Sequence, residues 1–156
     1  MSNQGVRGFY QLTQTIKDNL LNDANINTVT TGDITKLDLA KQTMFPLAHI
    51  LINSVTTREQ TLVFNITILT MDILDVNKDN STDIFTGNDN EHDILNTQLA
   101  VINRLIQLLK RGTLYQTKYQ LEEDPICEPF YERFENELIG WATTMDIIIE
   151  NDLSVC

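Results

Sequence analysis

The chain has 156 residues and a formal charge of -11, with 22 acidic against 11 basic residues. Such a surface repels phosphate backbones and no Lys/Arg cluster offers an exception, so sequence-specific nucleic-acid binding is disfavoured, although an acidic wall past which DNA slides stays compatible. A hydrophobic content of 42% excludes wholesale disorder, and two isolated cysteines, Cys127 and Cys156, form no disulfide framework, which suits a reducing cytosol.

Phe9, Leu12, Ile16 and Leu20 recur at three- and four-residue spacing, which predicts an amphipathic helix over about residues 6–22. Asn25 to Asn27 break it. The β-branched Thr28-Val29-Thr30-Thr31 then reads as a short strand ending at the turn signal Gly32-Asp33. Residues 34–45 are mixed and predict a surface excursion. Leu47 to Val55 is largely apolar, and Thr56 to Gln60 is polar enough to turn. Beyond the turn, Leu62, Phe64, Ile66 and Ile68 alternate with polar residues, as in a half-buried strand. The apolar parity then switches to Leu69, Met71 and Ile73, which predicts a bulge near 68–69. Together these make a long β-hairpin.

Residues 75–92 are polar, acidic and glycine-containing, an exposed loop. Leu95, Leu99, Ile102, Ile106 and Leu109 form one helical stripe, widened by Ile94, Val101, Leu105 and Leu108. Lys110-Arg111 complements the negative end of that helix, and Gly112 closes it. The stretch 113–138 holds Pro125, Pro129 and the cluster Phe130, Tyr131 and Phe134. Ile139, Trp141, Met145, Ile147 and Ile149 share one parity, broken only by Thr143, and predict a last strand with one apolar face. The expected fold is α+β: a mainly antiparallel sheet with two helices on one face, in a single domain over 1–156 with mobile segments at about 34–45 and 75–92. No apolar run approaches the roughly 18 residues of a membrane span, and the start carries no secretory signature, so a soluble, intracellular protein is expected.

Few residues suggest chemistry. Asp75 to Asp83 resembles the oxygen-ligand spacing of a calcium loop. Asn80 and Thr86, however, stand where that loop requires its Gly and its bidentate Glu. His49 lies inside an apolar strand and His92 in an acidic stretch, and neither has a Cys or second His at zinc-ligand spacing. There is no nucleophile elbow, phosphate-binding glycine loop or dinucleotide fingerprint. Glu122-Glu123-Asp124 is a charge run, which reads as solvated surface. No enzyme, cofactor or metal site is expected.

Val29-Thr30-Thr31-Gly32-Asp33-Ile34, then Leu39-Ala40-Lys41-Gln42 and Phe45-Pro46-Leu47-Ala48-His49-Ile50, set an order of short motifs. Met71-Asp72-Ile73 and Phe134-Glu135-Asn136-Glu137-Leu138-Ile139-Gly140-Trp141 continue it. Over roughly 9–150 this order resembles the small tail-terminator or neck proteins of tailed bacteriophages, including marine and crAss-like phages. One departure is Glu150-Asn151-Asp152, where that family often has a Pro-Asn step. The resemblance implies a tail-terminator-like fold and a homo-oligomeric ring of six- or twelve-fold symmetry at the head–tail junction of the virion. The ring would form in the host cytoplasm, touch portal, connector and tail proteins, and pass DNA through its lumen without binding it specifically. Head-to-tail contacts close into rings when each subunit turns by the right angle. On position, His49, Arg58 and Glu59 on the hairpin and its turn, with Asp79 and Asp83 on the acidic loop, are the candidate interface residues, and Trp141 is assigned to the core. The alternative is a small acidic binding protein that inhibits a basic host target.

Overall fold

A computed structural model describes residues 4–33, 45–73, 91–112, 114, 119–133 and 138–150. Helix α1 (Gln4–Leu21) is followed by the short strand β1 (Thr28–Thr31) and the hairpin β2 (Leu47–Thr57) and β3 (Thr61–Ile73). Helix α2 (Glu91–Arg111), the two-residue β4 (Gln120–Leu121), β5 (Ile126–Arg133) and β6 (Leu138–Glu150) follow among the described residues. The fold is α+β, with six strands in one sheet of order β1-β2-β3-β6-β4 and β5 also paired to β6. All pairings are antiparallel except β1 with β2.

Both helices lie on one face of the sheet. Leu12, Ile16 and Leu20 of α1 join Val101, Ile102, Leu105 and Leu109 of α2 in one buried cluster. That cluster also takes in sheet residues of one parity: Ile50, Ile66, Ile68, Met145, Ile147 and Ile149. Each such fully buried side chain is worth about 1.5–3 kcal/mol over exposure, so this layer is the main source of stability. The α2 stripe is largely the expected one: Ile102, Ile106 and Leu109 are buried together with the widening residues Ile94, Val101 and Leu105, while Leu99 stands exposed at its margin. Phe9 is likewise exposed, at the rim of α1. The last turn of α1 carries no basic residue, and Arg104 of α2 supplies the missing cation by donating to the Asn19 carbonyl at 3.0 Å.

A second, smaller core occupies part of the other face: Phe45, Leu47, Leu69, Met71, Phe130 and Leu138. This corrects two expectations. The parity switch at 68–69 is no bulge, since β3 pairs with β6 without interruption from Thr61 to Ile73. Ile66 and Ile68 face the helices, Leu69 and Met71 face the second core, and the strand passes from one-sided to two-sided burial. The register shift lies instead in β2, between Ile52 and Ser54. Phe45, placed in the surface excursion by its sequence context, is buried in that second core, and residues 91 and 92 open α2 instead of closing the acidic loop. The remainder of 34–45 and of 75–92 lies outside the described residues.

β1 ends where expected. Gly32 has φ +99, a left-handed conformation that suits glycine, and its N–H donates to the Ile50 carbonyl. β5, unforeseen in the sequence, contains Pro129, which an outer strand tolerates, and among the described residues β5 pairs with β6 alone. No helix among the described residues is long and apolar enough to cross a membrane.

Candidate interaction surface

His49 is fully buried on the second face of the sheet, where the parallel pairing sets it opposite Thr30. Its Nε2 lies 2.7 Å from the Gly32 carbonyl oxygen and its Nδ1 lies 2.7 Å from Thr30 Oγ1. A carbonyl only accepts, so Nε2 carries the proton and Nδ1 accepts from the hydroxyl. Burial pulls the His49 pKa below its ordinary value, against the opposing influence of the Gly32 carbonyl and the Asp33 charge. A hydroxyl beside an imidazole resembles a nucleophile with its base. Here the ring is sealed from solvent and its far nitrogen is held by backbone, so the pair staples β1 to β2. In this conformation His49 presents no surface to a neighbouring chain.

Arg58 and Glu59 sit at the hairpin turn, where Arg58 N–H closes the turn on the Thr61 carbonyl. Glu59 is exposed. The Arg58 guanidinium reaches past β3 and β6 to Glu122 Oε1 at 2.8 Å, tying the hairpin tip to the turn after β4. Asp79 and Asp83 lie outside the described residues. Trp141 is partly buried and donates from Nε1 to the Leu95 carbonyl at 2.8 Å, which fixes β6 against α2.

The second sheet face divides into two halves. One end holds the smaller core; the rest is a polar ladder that sequence reasoning did not assemble. Asn53 Nδ2 donates to Asn65 Oδ1 at 2.9 Å and to Thr67 Oγ1 at 2.8 Å. Asn65 Nδ2 donates to Asp146 Oδ1 at 2.8 Å, and Thr67 and Thr144 share a hydrogen bond of 3.1 Å. The alternation of polar and apolar residues along β3 and β6 marks this face as solvent-facing. The cross-strand partners follow only from the register.

Concavities indent the surface of the described residues. A cleft of about 380 Å³ opens where β1 ends, between Phe9 and Thr13 of α1 and Ile50 and Ile52 of β2. A second, of about 260 Å³, is acidic, with Glu123, Asp124, Glu128 and Asp146 on its walls. A third, of about 480 Å³, lies between the end of α2 and β4. At its rim Lys110 Nζ contacts Asp124 at 2.6 Å and holds that carboxyl below the usual range. Among the described residues no three His, Cys, Asp or Glu side chains gather at metal-binding distances. Cys127 is half-buried, and its sulfur accepts from Thr143 Oγ1 at 3.2 Å.

The outer side of the hairpin completes the picture. β1 pairs with β2 only from Leu47 to Ile50. Among the described residues no strand covers β2 from Leu51 to Thr57, seven residues without a charge.

No protein-family model matches this chain, and no curated protein is significantly similar to it.

Proposed function

We propose that this chain is a structural subunit of a tailed-bacteriophage head–tail joint, a tail terminator or neck ring with a tail-terminator-like fold through which DNA passes. The observation that carries this reading is where the shared motifs fall. Gly32-Asp33 closes β1 and Phe45-Pro46 leads into β2. Met71-Asp72-Ile73 runs to the end of β3 and Leu138-Ile139-Gly140-Trp141 opens β6. These are the junctions at which a tail-terminator-like chain would carry them. A long hairpin with an uncovered outer edge and a polar sheet face suit assembly, and the strong negative charge keeps DNA from sticking to a lumen wall.

The test is location. Antibody labelling of DNA-filled particles that carry the chain should mark the junction between head and tail, and particles purified free of unbound protein should retain it. A chain that separates from such particles would overturn the reading.

A second reading has one observation in its favour: Glu123, Asp124, Glu128 and Asp146 border one concavity, a start towards the acidic face that an inhibitor of a basic host protein needs. Saturable binding of a basic host protein, abolished by charge removal at Glu123 and Glu128, would support it over the first.

A further inference from the structure

We propose that two copies of this chain pair through the outer edge of β2 that no described strand covers, antiparallel and about a two-fold axis at Ser54, so that the protein outside any particle is a dimer with one continuous intermolecular sheet. An isologous contact cannot close a ring about a polar axis, so this inference stands apart from the head–tail reading and concerns the chain outside any particle.

The argument begins with the contrast between the two borders of the sheet. A border strand offers a row of unpaired N–H and C=O groups, and proteins blunt such rows with proline, charge or brevity. The β4/β5 border has all three devices: β4 is two residues long, and β5 carries Pro129, which lacks an N–H, beside Glu128. The β2 border from Leu51 to Thr57, Leu-Ile-Asn-Ser-Val-Thr-Thr, has neither proline nor charge. The register shift within this stretch sets the Asn53 side chain on the polar face of the sheet, where it holds Asn65 and Thr67 instead of pointing out from the edge. On the same side of the sheet β1 is blunted by its length of four residues, so among the described residues the longest unguarded border is this stretch, and its match in a second copy is the same stretch.

The ends of the open stretch set the axis. β1 blocks an incoming strand at Ile50, and the hairpin turns after Thr57. Two antiparallel copies limited to 51–57 must centre on Ser54.

The apolar groups left over agree with this occupant. Val55 is opposite Phe64 in the hairpin, hence on the helix face, and is 44% exposed. Phe9 is 57% exposed and rests on the same Phe64 ring, with centroids 6.4 Å apart. The cleft between Phe9, Ile50 and Ile52 opens at the start of the free stretch. A second β2 brings its own Val55 to that cleft and covers Phe9, the pairing of main-chain bonds with a side-chain pocket on which strand addition relies. Charge favours this place as well, since two chains of -11 repel each other elsewhere and meet here on neutral surface.

Sedimentation equilibrium of the full chain should give twice the 17.8 kDa chain mass, with the dimer tightening as salt screens the repulsion between copies. Val55→Lys should sediment as a monomer with an unchanged far-ultraviolet circular dichroism spectrum, and its melting temperature should lose the dependence on protein concentration that the dimer gives the wild type. Independently, Ser54→Cys in a Cys127→Ser/Cys156→Ser background should form an intermolecular disulfide on mild oxidation. Facing residues of antiparallel strands lie about 4.5–5.5 Å apart at Cα, within disulfide reach. Gln120→Cys, on the guarded border, should not cross-link. A wild-type chain that stays monomeric at millimolar concentration, a Val55→Lys dimer, or cross-linking at position 120 in place of 54 would each overturn the proposal. Particle labelling is untouched by any of these results, so the two readings fail separately.

Discussion

Thr30 donates its hydroxyl hydrogen to Nδ1 of His49 across the β1–β2 pair, while the opposite ring nitrogen donates to Gly32, so one neutral imidazole fastens a four-residue strand to the sheet. The state of that ring sets a pH dependence. Burial lowers its folded pKa below the 6.5 of an unfolded histidine, so the folded state takes up the proton less readily. Stability is therefore fully present above pH 6.5 and is lost as pH falls from there through the folded pKa. Asp72 acts in the opposite sense in a more acidic window. Burial raises its pKa above 3.8, and the stability that it contributes is present below 3.8 and lost as pH rises through the folded value. Urea unfolding between pH 7.5 and pH 5 should show a falling midpoint for the wild type and a flatter dependence for His49→Gln. Equal slopes would remove the staple from the account.

Gly140 of β6 stands opposite Met71 of β3, with no room for a side chain between the strands. A Cβ there would collide with the Thr70 carbonyl oxygen and Met71 Cα, both backbone atoms that cannot swing aside. Gly140→Ala should destabilise the fold by about 3 kcal/mol or more, a severe case of overpacking. Denaturant unfolding of this variant measures the cost directly, and a change under 1 kcal/mol would mean that the two strands separate there without penalty.

How much of this was legible depends on how local each signal is. β6 and the hairpin announce themselves because one face of each strand is buried along much of its length, so period two survives in the sequence. α2 is visible for the same reason, though its width hides which residues face the sheet, and Leu99 ends up outside. β5 is hidden by Pro129 and by a single inward aromatic, Phe130, whose partners Leu47, Leu69 and Met71 lie far away in the chain. The second core leaves only the parity switch at 68–69, which by itself reads as a bulge. The real irregularity, at Asn53, has no local mark beyond a polar residue in an apolar run. Of the candidate surface, the hairpin tip with Arg58 and Glu59 was readable. Its partner Glu122, 64 residues away, was not, because only the strand order brings it near.

Gln98 is 1% exposed in α2 beneath the sheet, and neither Oε1 nor Nε2 has a hydrogen-bond partner among the described residues. An unsatisfied buried amide costs about 1–3 kcal/mol, whereas an apolar side chain of similar shape costs nothing of that kind. Gln98→Met should therefore raise stability by about 1–2 kcal/mol, a gain visible as a higher melting temperature. A lower one would show that the amide is satisfied in solution, for example by a buried water.

The Arg58–Glu122 bridge separates fold from assembly at the hairpin tip. Both side chains are partly exposed, at 48% and 34%, so the pair contributes about 0.2–1 kcal/mol, lessened by salt. Arg58→Glu sets two carboxylates together and should lower stability by about 1 kcal/mol at low ionic strength, with most of the loss recovered in Arg58→Glu/Glu122→Arg. Glu59→Arg leaves the bridge intact and should leave the melting temperature unchanged. If the chain forms the proposed head–tail ring, the three variants sort its assembly defects. A defect in Arg58→Glu that the double variant repairs arises from the fold of the tip. A defect in Glu59→Arg, with unfolding unchanged, arises from contact with a neighbouring subunit. Normal incorporation of Glu59→Arg into particles would remove Glu59 from the interface.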